Sequence, residues 1–194
     1  MFEQLLARLA RVFDKAGIQY MVIGGQAVMI HGRLRVTEDI DMTLGLDSAE
    51  AGRVLEIARA AGLRPLVEDP CQFALRTSVL PVQAIEGGVR VDFVFSFTPY
   101  ERQAIERSVA QEEDGYPVRF ATAEDLIIHK LFAGRPQDIQ DVRGILARKQ
   151  GKIDKQYSRQ WIGQFSQIEG KAHLKKQLED LLAESAGSGS ESVG

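Results

Sequence analysis

The chain reads as an α+β protein, a small mixed β-sheet flanked by helices with a helical region after it. Three observations predict this. The first 121 residues alternate helical apolar spacing with short β-rich runs. Two of those runs, TEDIDMTL and GGVRVDFVFSF, carry apolar residues at every second position on one face, with aspartates on the other. From Thr122 the spacing is helical almost to the end. The expected organisation is therefore an α/β core over 1–121, a helical region packed on it over 122–185, and a disordered Gly/Ser-rich tail over 186–194.

The elements follow in order. Phe2, Leu5, Leu6, Leu9 and Phe13 recur at helical spacing, and Gly17 ends that helix. IQYMVIGG is a short strand closed by glycine, and GGQAVMIHG gives two turns of helix between glycines. In TEDIDMTL, Ile40, Met42 and Leu44 share one face and Asp39 and Asp41 the other. Asp47 and Ser48 are capping candidates for a helix through AEAGRVLEIARAAG. The stretch RPLVEDPCQFALRTSVLPVQAI shows no clear period. GGVRVDFVFSF is a Gly-Gly turn and a strand, with Val89, Val91, Phe93 and Phe95 opposite Arg90 and Asp92. PYERQAIERSV reads as helix and YPVRFA as a short edge strand. Thr122 with Glu124 and Asp125 opens a helix carrying EDLIIHKLFAG, and three more helices follow through RPQDIQDVRGILARKQG, DKQYSRQWIGQFSQI and KAHLKKQLEDLLAE.

Composition narrows the function classes. Hydrophobic residues are 44% and charged residues 26%, the balance of a folded globular chain. The formal charge of −3 means that a polyanion would need a local basic patch. No apolar run reaches the roughly 20 residues of a membrane span, so no membrane partner is expected. The amphipathic, acid-containing N-terminus resembles neither a signal nor a transit peptide, and Cys71 has no second cysteine to pair with. A cytoplasmic location is expected. Histidines at 31, 129 and 173 are too scattered to suggest zinc, and Trp161 and Phe165 read as core.

The carboxylates carry the chemistry. Alternation places Asp39 and Asp41 on one face with side-chain bases roughly 7 Å apart. Such a pair repels unless a positive charge lies between, and hard oxygen donors select Mg²⁺ or Mn²⁺. Asp92, on a second strand with the same pattern, is the candidate third ligand, completing what a two-ion phosphoryl-transfer site requires. An Asp-x-Asp on a strand is also common solvent-facing decoration. Gly24-Gly25 shifts the balance, because glycines between a strand and a helix let backbone N–H groups face a phosphate.

The order and spacing of these parts resemble the polymerase-beta-type nucleotidyltransferase superfamily. The matching residues are Ile23-Gly24-Gly25, then after 13 residues Asp39-Ile40-Asp41-Met42, then Val91-Asp92-Phe93. Within it the chain is most similar to minimal bacterial nucleotidyltransferases, including the abortive-infection (AbiEii-like) toxin group. HGRLRVTEDID matches that group's approach at Gly32, Arg35, Thr37 and Asp39, and EDLIIHKLFAGRPQDIQDV supplies Lys130, Arg135, Asp138 and Asp141. The resemblance spans about residues 18 to 146.

It implies transfer of a nucleoside monophosphate from a nucleoside triphosphate to an acceptor hydroxyl, with two Mg²⁺ or Mn²⁺ ions as cofactor. Asp39 and Asp41 would hold both ions and Asp92 the catalytic one. Gly24 and Gly25 would hold the β- and γ-phosphates, and Lys130 would offset triphosphate charge. Arg35 and Thr37 belong to the nucleotide side, Arg135 to the rim, and Asp138 would activate the acceptor. That acceptor would be a tRNA or other RNA end, a protein side chain or a small molecule, and an antitoxin partner is implied if the chain is a toxin. Two rival readings stand beside this one: a catalytically silent nucleotide- or partner-binding member, and a metal-dependent phosphohydrolase.

Overall fold

A computed structural model describes residues 1–32, 37–96, 98–149 and 151–187. Contacts divide the chain into two compact units, Met1–Ala27 with Val36–Ala121, and Val28–Arg35 with Thr122–Gly194. The architecture is mixed α and β, as the alternation predicted.

The first unit is built on a seven-stranded mixed sheet of order β3-β4-β5-β2-β1-β7-β6. Its strands are β1 (Tyr20–Ile23), β2 (Asp39–Leu44), β3 (Leu63–Pro65), β4 (Val79–Ala84), β5 (Arg90–Phe95), β6 (Val109–Glu113) and β7 (Tyr116–Phe120). β2 runs antiparallel to β1 and parallel to β5. The alternation of β2 and β5 works as expected: Ile40, Met42, Leu44, Val91, Phe93 and Phe95 are all buried. Helix α1 (Phe2–Lys15) lays Leu5, Leu6, Leu9 and Phe13 on the core. The Phe13 ring meets Phe93 edge-on, with centroids 5.3 Å apart. Since Phe93 alternates with Asp92, this apolar face lies opposite the carboxylates.

Four further helices belong wholly or partly to this unit. α2 (Gly24–His31) follows β1 directly, and its later residues group with the second unit. A 3₁₀ turn at Ser48–Glu50, capped by Asp47, leads into α3 (Ala51–Ala60). α4 (Pro70–Thr77) starts at an Asp69 cap with proline in its first turn. α5 (Pro99–Arg107) is opened by a reciprocal cap between Thr98 and Glu101. One expectation needs correction. YPVRFA becomes β7, which lies inside the sheet between β1 and β6, and the edge is the unforeseen β6.

The second unit contains α6 (Ala123–Ala133), α7 (Pro136–Lys149), α8 (Lys155–Phe165) and α9 (Leu174–Gly187). Leu126, Leu131, Val142, Ile145, Ile162, Leu178 and Leu181 are among its buried apolar residues. Trp161 is buried with its ring centroid 6.0 Å from Phe165. α9 continues through Gly187, two residues into the expected tail, and the rest of that tail lies outside the described residues. Among the described residues, no helix is long and apolar enough to cross a membrane.

Candidate functional site

In the first unit, strand register assembles the carboxylates. Asp41 stands opposite Ile23 on β1 and opposite Asp92 on β5, and Asp39 stands opposite Arg90. Residues paired in register share a sheet face, so Asp39, Asp41, Arg90 and Asp92 project together. All three aspartates are half-buried. The hydroxyl of Thr37 donates to Asp39 Oδ1 at 3.0 Å, fixing that carboxylate at the entry to β2.

Gly24 is placed by the same register. It follows Ile23 at the junction of β1 and α2 with φ +65°, and a Cβ there would run into the Asp41 carboxylate. Glycine is required twice over: for the left-handed backbone, and for the approach of Asp41. Gly25 is buried within the first turn of α2. The strand-to-helix turn thus joins a helix N-terminus to a carboxylate pair, which suits an anion bound through metal ions. Arg35 lies outside the described residues.

Asp92 does not stand open. Arg90 grips it in a fork, Nε to Oδ1 at 3.0 Å and an Nη donor to Oδ2 at 2.9 Å. The Arg90 pKa is raised, first by its hydrogen bonds to Asp92 and then by the field of Asp92, with Asp39 and Asp41 adding to it. Three aspartates on adjacent strands are a hard-oxygen donor set that fits Mg²⁺ or Mn²⁺. Yet among the described residues, no three carboxylate, imidazole or thiol groups converge to hold an ion as the side chains stand. Arg90 is the site residue that the sequence reading passed over. Its signal was Arg-x-Asp, which on a strand puts cation and carboxylate on one face.

In the second unit, the remaining candidates form a buried charged cluster. Lys130 Nζ lies 2.9 Å from Asp138 Oδ1 and 3.0 Å from Asp141 Oδ2. The side chains are 7%, 1% and 0% exposed, so Lys130 is no surface lysine closing a helix. Arg135, largely exposed, donates to Asp138 from its backbone N–H at 3.1 Å and from Nε at 2.7 Å. Burial would raise the Asp138 pKa, but hydrogen bonds from Arg135 and Lys130 outweigh it and hold the carboxyl below its usual value. Asp125, fully buried on α6, accepts from Tyr157 Oη at 2.7 Å and from Thr122 Oγ1 at 2.7 Å. Gly32, at φ +120°, lies against the Arg148 side chain, into which a Cβ would project.

Comparison with known proteins bears on the family and the fold. A family model described as a nucleotidyl transferase of unknown function (DUF2204) matches residues 2–180. No curated protein matches the chain in sequence. Among solved structures, an antigenic nucleotidyltransferase-like protein from Paracoccidioides brasiliensis is 15% identical with a TM-score of 0.55, over 91% of each chain. A putative nucleotidyltransferase from H. pylori is 13% identical with a TM-score of 0.55, over 96% of this chain and 93% of that one. ANT(2")-Ia in complex with adenylyl-2"-tobramycin is 16% identical with a TM-score of 0.54, over 94% and 97%. At these identities the structures share the fold, and the family rests on the sequence model: matched across residues 2–180, the chain belongs to the nucleotidyl transferase family of that description.

Proposed function

We propose that the protein transfers a nucleoside monophosphate from a nucleoside triphosphate to an acceptor hydroxyl. One observation carries this reading: Asp41 is in register with Asp92 and packs against a glycine of positive φ at the strand-to-helix turn. The acceptor oxygen attacks the α-phosphorus in line, a new P–O bond forms, and the bond to pyrophosphate breaks. Asp39, Asp41 and Asp92 would hold two Mg²⁺ or Mn²⁺ ions, which when bound stabilise the attacking and leaving oxygens. Asp92, once released by Arg90, would also help to take the acceptor proton. The backbone at Gly24 and Gly25, with the α2 N-terminus, would bind the phosphates leaving as pyrophosphate.

For the second unit we assign Asp138 a holding role. A carboxylate kept below its usual pKa by two cations is a weak base, so it suits positioning Lys130 and Arg135 better than activating an acceptor. Within this cluster Arg135, 73% exposed, is the cation open to an anionic substrate, whereas Lys130 is buried. An RNA end, a protein side chain and a small-molecule hydroxyl are the acceptor classes to test. The last is prompted by the neighbour solved with adenylyl-2"-tobramycin. A toxin role with an antitoxin partner belongs to the same proposal and rests on the motif resemblance.

The test supplies Mg²⁺, each α-labelled nucleoside triphosphate in turn, and cellular RNA with protein and small-molecule extract. Label should move onto one acceptor class with release of pyrophosphate, and Asp39→Asn/Asp41→Asn should abolish it. Triphosphate binding without transfer would favour the silent-member reading. Release of inorganic phosphate with no labelled product would favour the phosphohydrolase.

A further inference from the structure

We propose that Arg90 is a built-in counter-cation of the carboxylate site, holding Asp92 in the ion-free protein and having to leave it before Asp92 can take a metal ion. The inference rests on the reading of the three aspartates as ion ligands. Three observations support it.

Arg90 engages both oxygens of Asp92, at 3.0 and 2.9 Å, so neither is free of the guanidinium. Register sets Arg90 opposite Asp39, and both Asp39 and Asp41 lie near enough for their fields to act on its guanidinium. Its charge thus lies among three half-buried carboxylates and offsets part of their mutual repulsion. Among the described residues, Asp92 is the only side-chain hydrogen-bond partner of the Arg90 guanidinium, and the Arg90 side chain is 54% exposed against 17% for Asp92. Arg90 therefore covers Asp92 from the solvent side and has water to move into.

Two consequences follow. In the ion-free state Arg90 lowers the repulsion among the aspartates. During loading it competes, because a guanidinium fork and a divalent ion draw on the same two oxygens and repel each other across them. Removing the arginine should then destabilise the ion-free protein and tighten ion binding together. A strand-end salt bridge of purely structural value would do the first without the second.

The experiment uses the full chain without nucleotide, stripped of metal by chelator. Mn²⁺ is titrated in, and the free ion is followed by its paramagnetic resonance signal. Wild type is compared with Arg90→Met, which keeps most of the aliphatic stem, Arg90→Ala, Asp92→Asn, Arg90→Met/Asp92→Asn and Asp39→Asn/Asp41→Asn. Arg90→Met should bind Mn²⁺ roughly three- to tenfold more tightly than wild type, the scale of releasing a charge-assisted fork. That gain should vanish in the Asp92→Asn background and shrink at high salt. In parallel, Arg90→Met should melt below wild type in chelator and gain more than wild type from added Mg²⁺.

Equal or weaker Mn²⁺ binding by both Arg90 variants, with wild type binding normally, would overturn the counter-cation role while leaving the ion site intact. A tightening that persists with Asp92→Asn would overturn it as well. Binding that is absent in every protein, or unchanged in Asp39→Asn/Asp41→Asn, would remove the ion-ligand reading itself.

Discussion

Replacing Gly24 by alanine tests the link between backbone and site most directly. Two costs can be worked from the structure. A residue with a Cβ at φ +65° pays about 1–2 kcal/mol for the left-handed backbone. The new methyl also overlaps the Asp41 carboxylate, and forcing such a neighbour aside typically costs about 1–3 kcal/mol. Gly24→Ala should therefore lose about 2–5 kcal/mol in urea unfolding, below or near the total stability of a typical domain. Transfer activity should fall by about 10² or more, because Asp41 is displaced from its place beside Asp92. A double-mutant cycle separates the costs. In an Asp41→Ala background only the backbone penalty should persist, leaving a coupling of about 1–3 kcal/mol between the two sites. Strict additivity, or a Gly24→Ala protein as stable as wild type, would refute the claim that Asp41 packs on that glycine.

Other predictions concern the second unit. Lys130→Met removes the buried cation that bridges Asp138 and Asp141 and should cost about 3–5 kcal/mol by urea denaturation, so its activity must be read only where it is folded. Asp138, whose folded pKa lies below its unfolded one, contributes stability that is present above about pH 4 and lost as the pH falls through the folded value. Asp138→Asn should flatten that part of the acid-unfolding profile, and an unchanged profile would count against the pairing. Tyr157→Phe removes a hydroxyl donor from the fully buried Asp125 and should cost about 1.5–3 kcal/mol in the same denaturation assay.

What was legible in the sequence has a common physical cause. β2 and β5 each bury one apolar face, so their side chains had to alternate, and the alternation sets three aspartates on the other faces. α1 was readable because a helix buried on one side must repeat its apolar residues at that spacing. Elements that bury little leave no such trace. β6 has no buried residue and is a strand only through its hydrogen bonds to β7. α4 buries Ala74 alone, and β3 is three residues long, so the region between Arg64 and Ile85 showed no period. The Asp69 cap with Pro70 after it was the usable signal there.

The site divides along the same line. By itself the sequence determined which residue types were present, which of them shared a strand face, and that a glycine pair stood between a strand and a helix. Local spacing is enough for that, since side-chain direction repeats every second residue on a strand. Only the tertiary structure decided that Asp41 meets Asp92 across a parallel pair, that Gly24 must lack a side chain because Asp41 lies on it, and that Arg90 holds Asp92. It also decided that Lys130 is buried between two carboxylates rather than solvated at a helix end. These are facts of register and burial, set by hydrogen bonds and packing between segments far apart in the chain, and no local pattern encodes them.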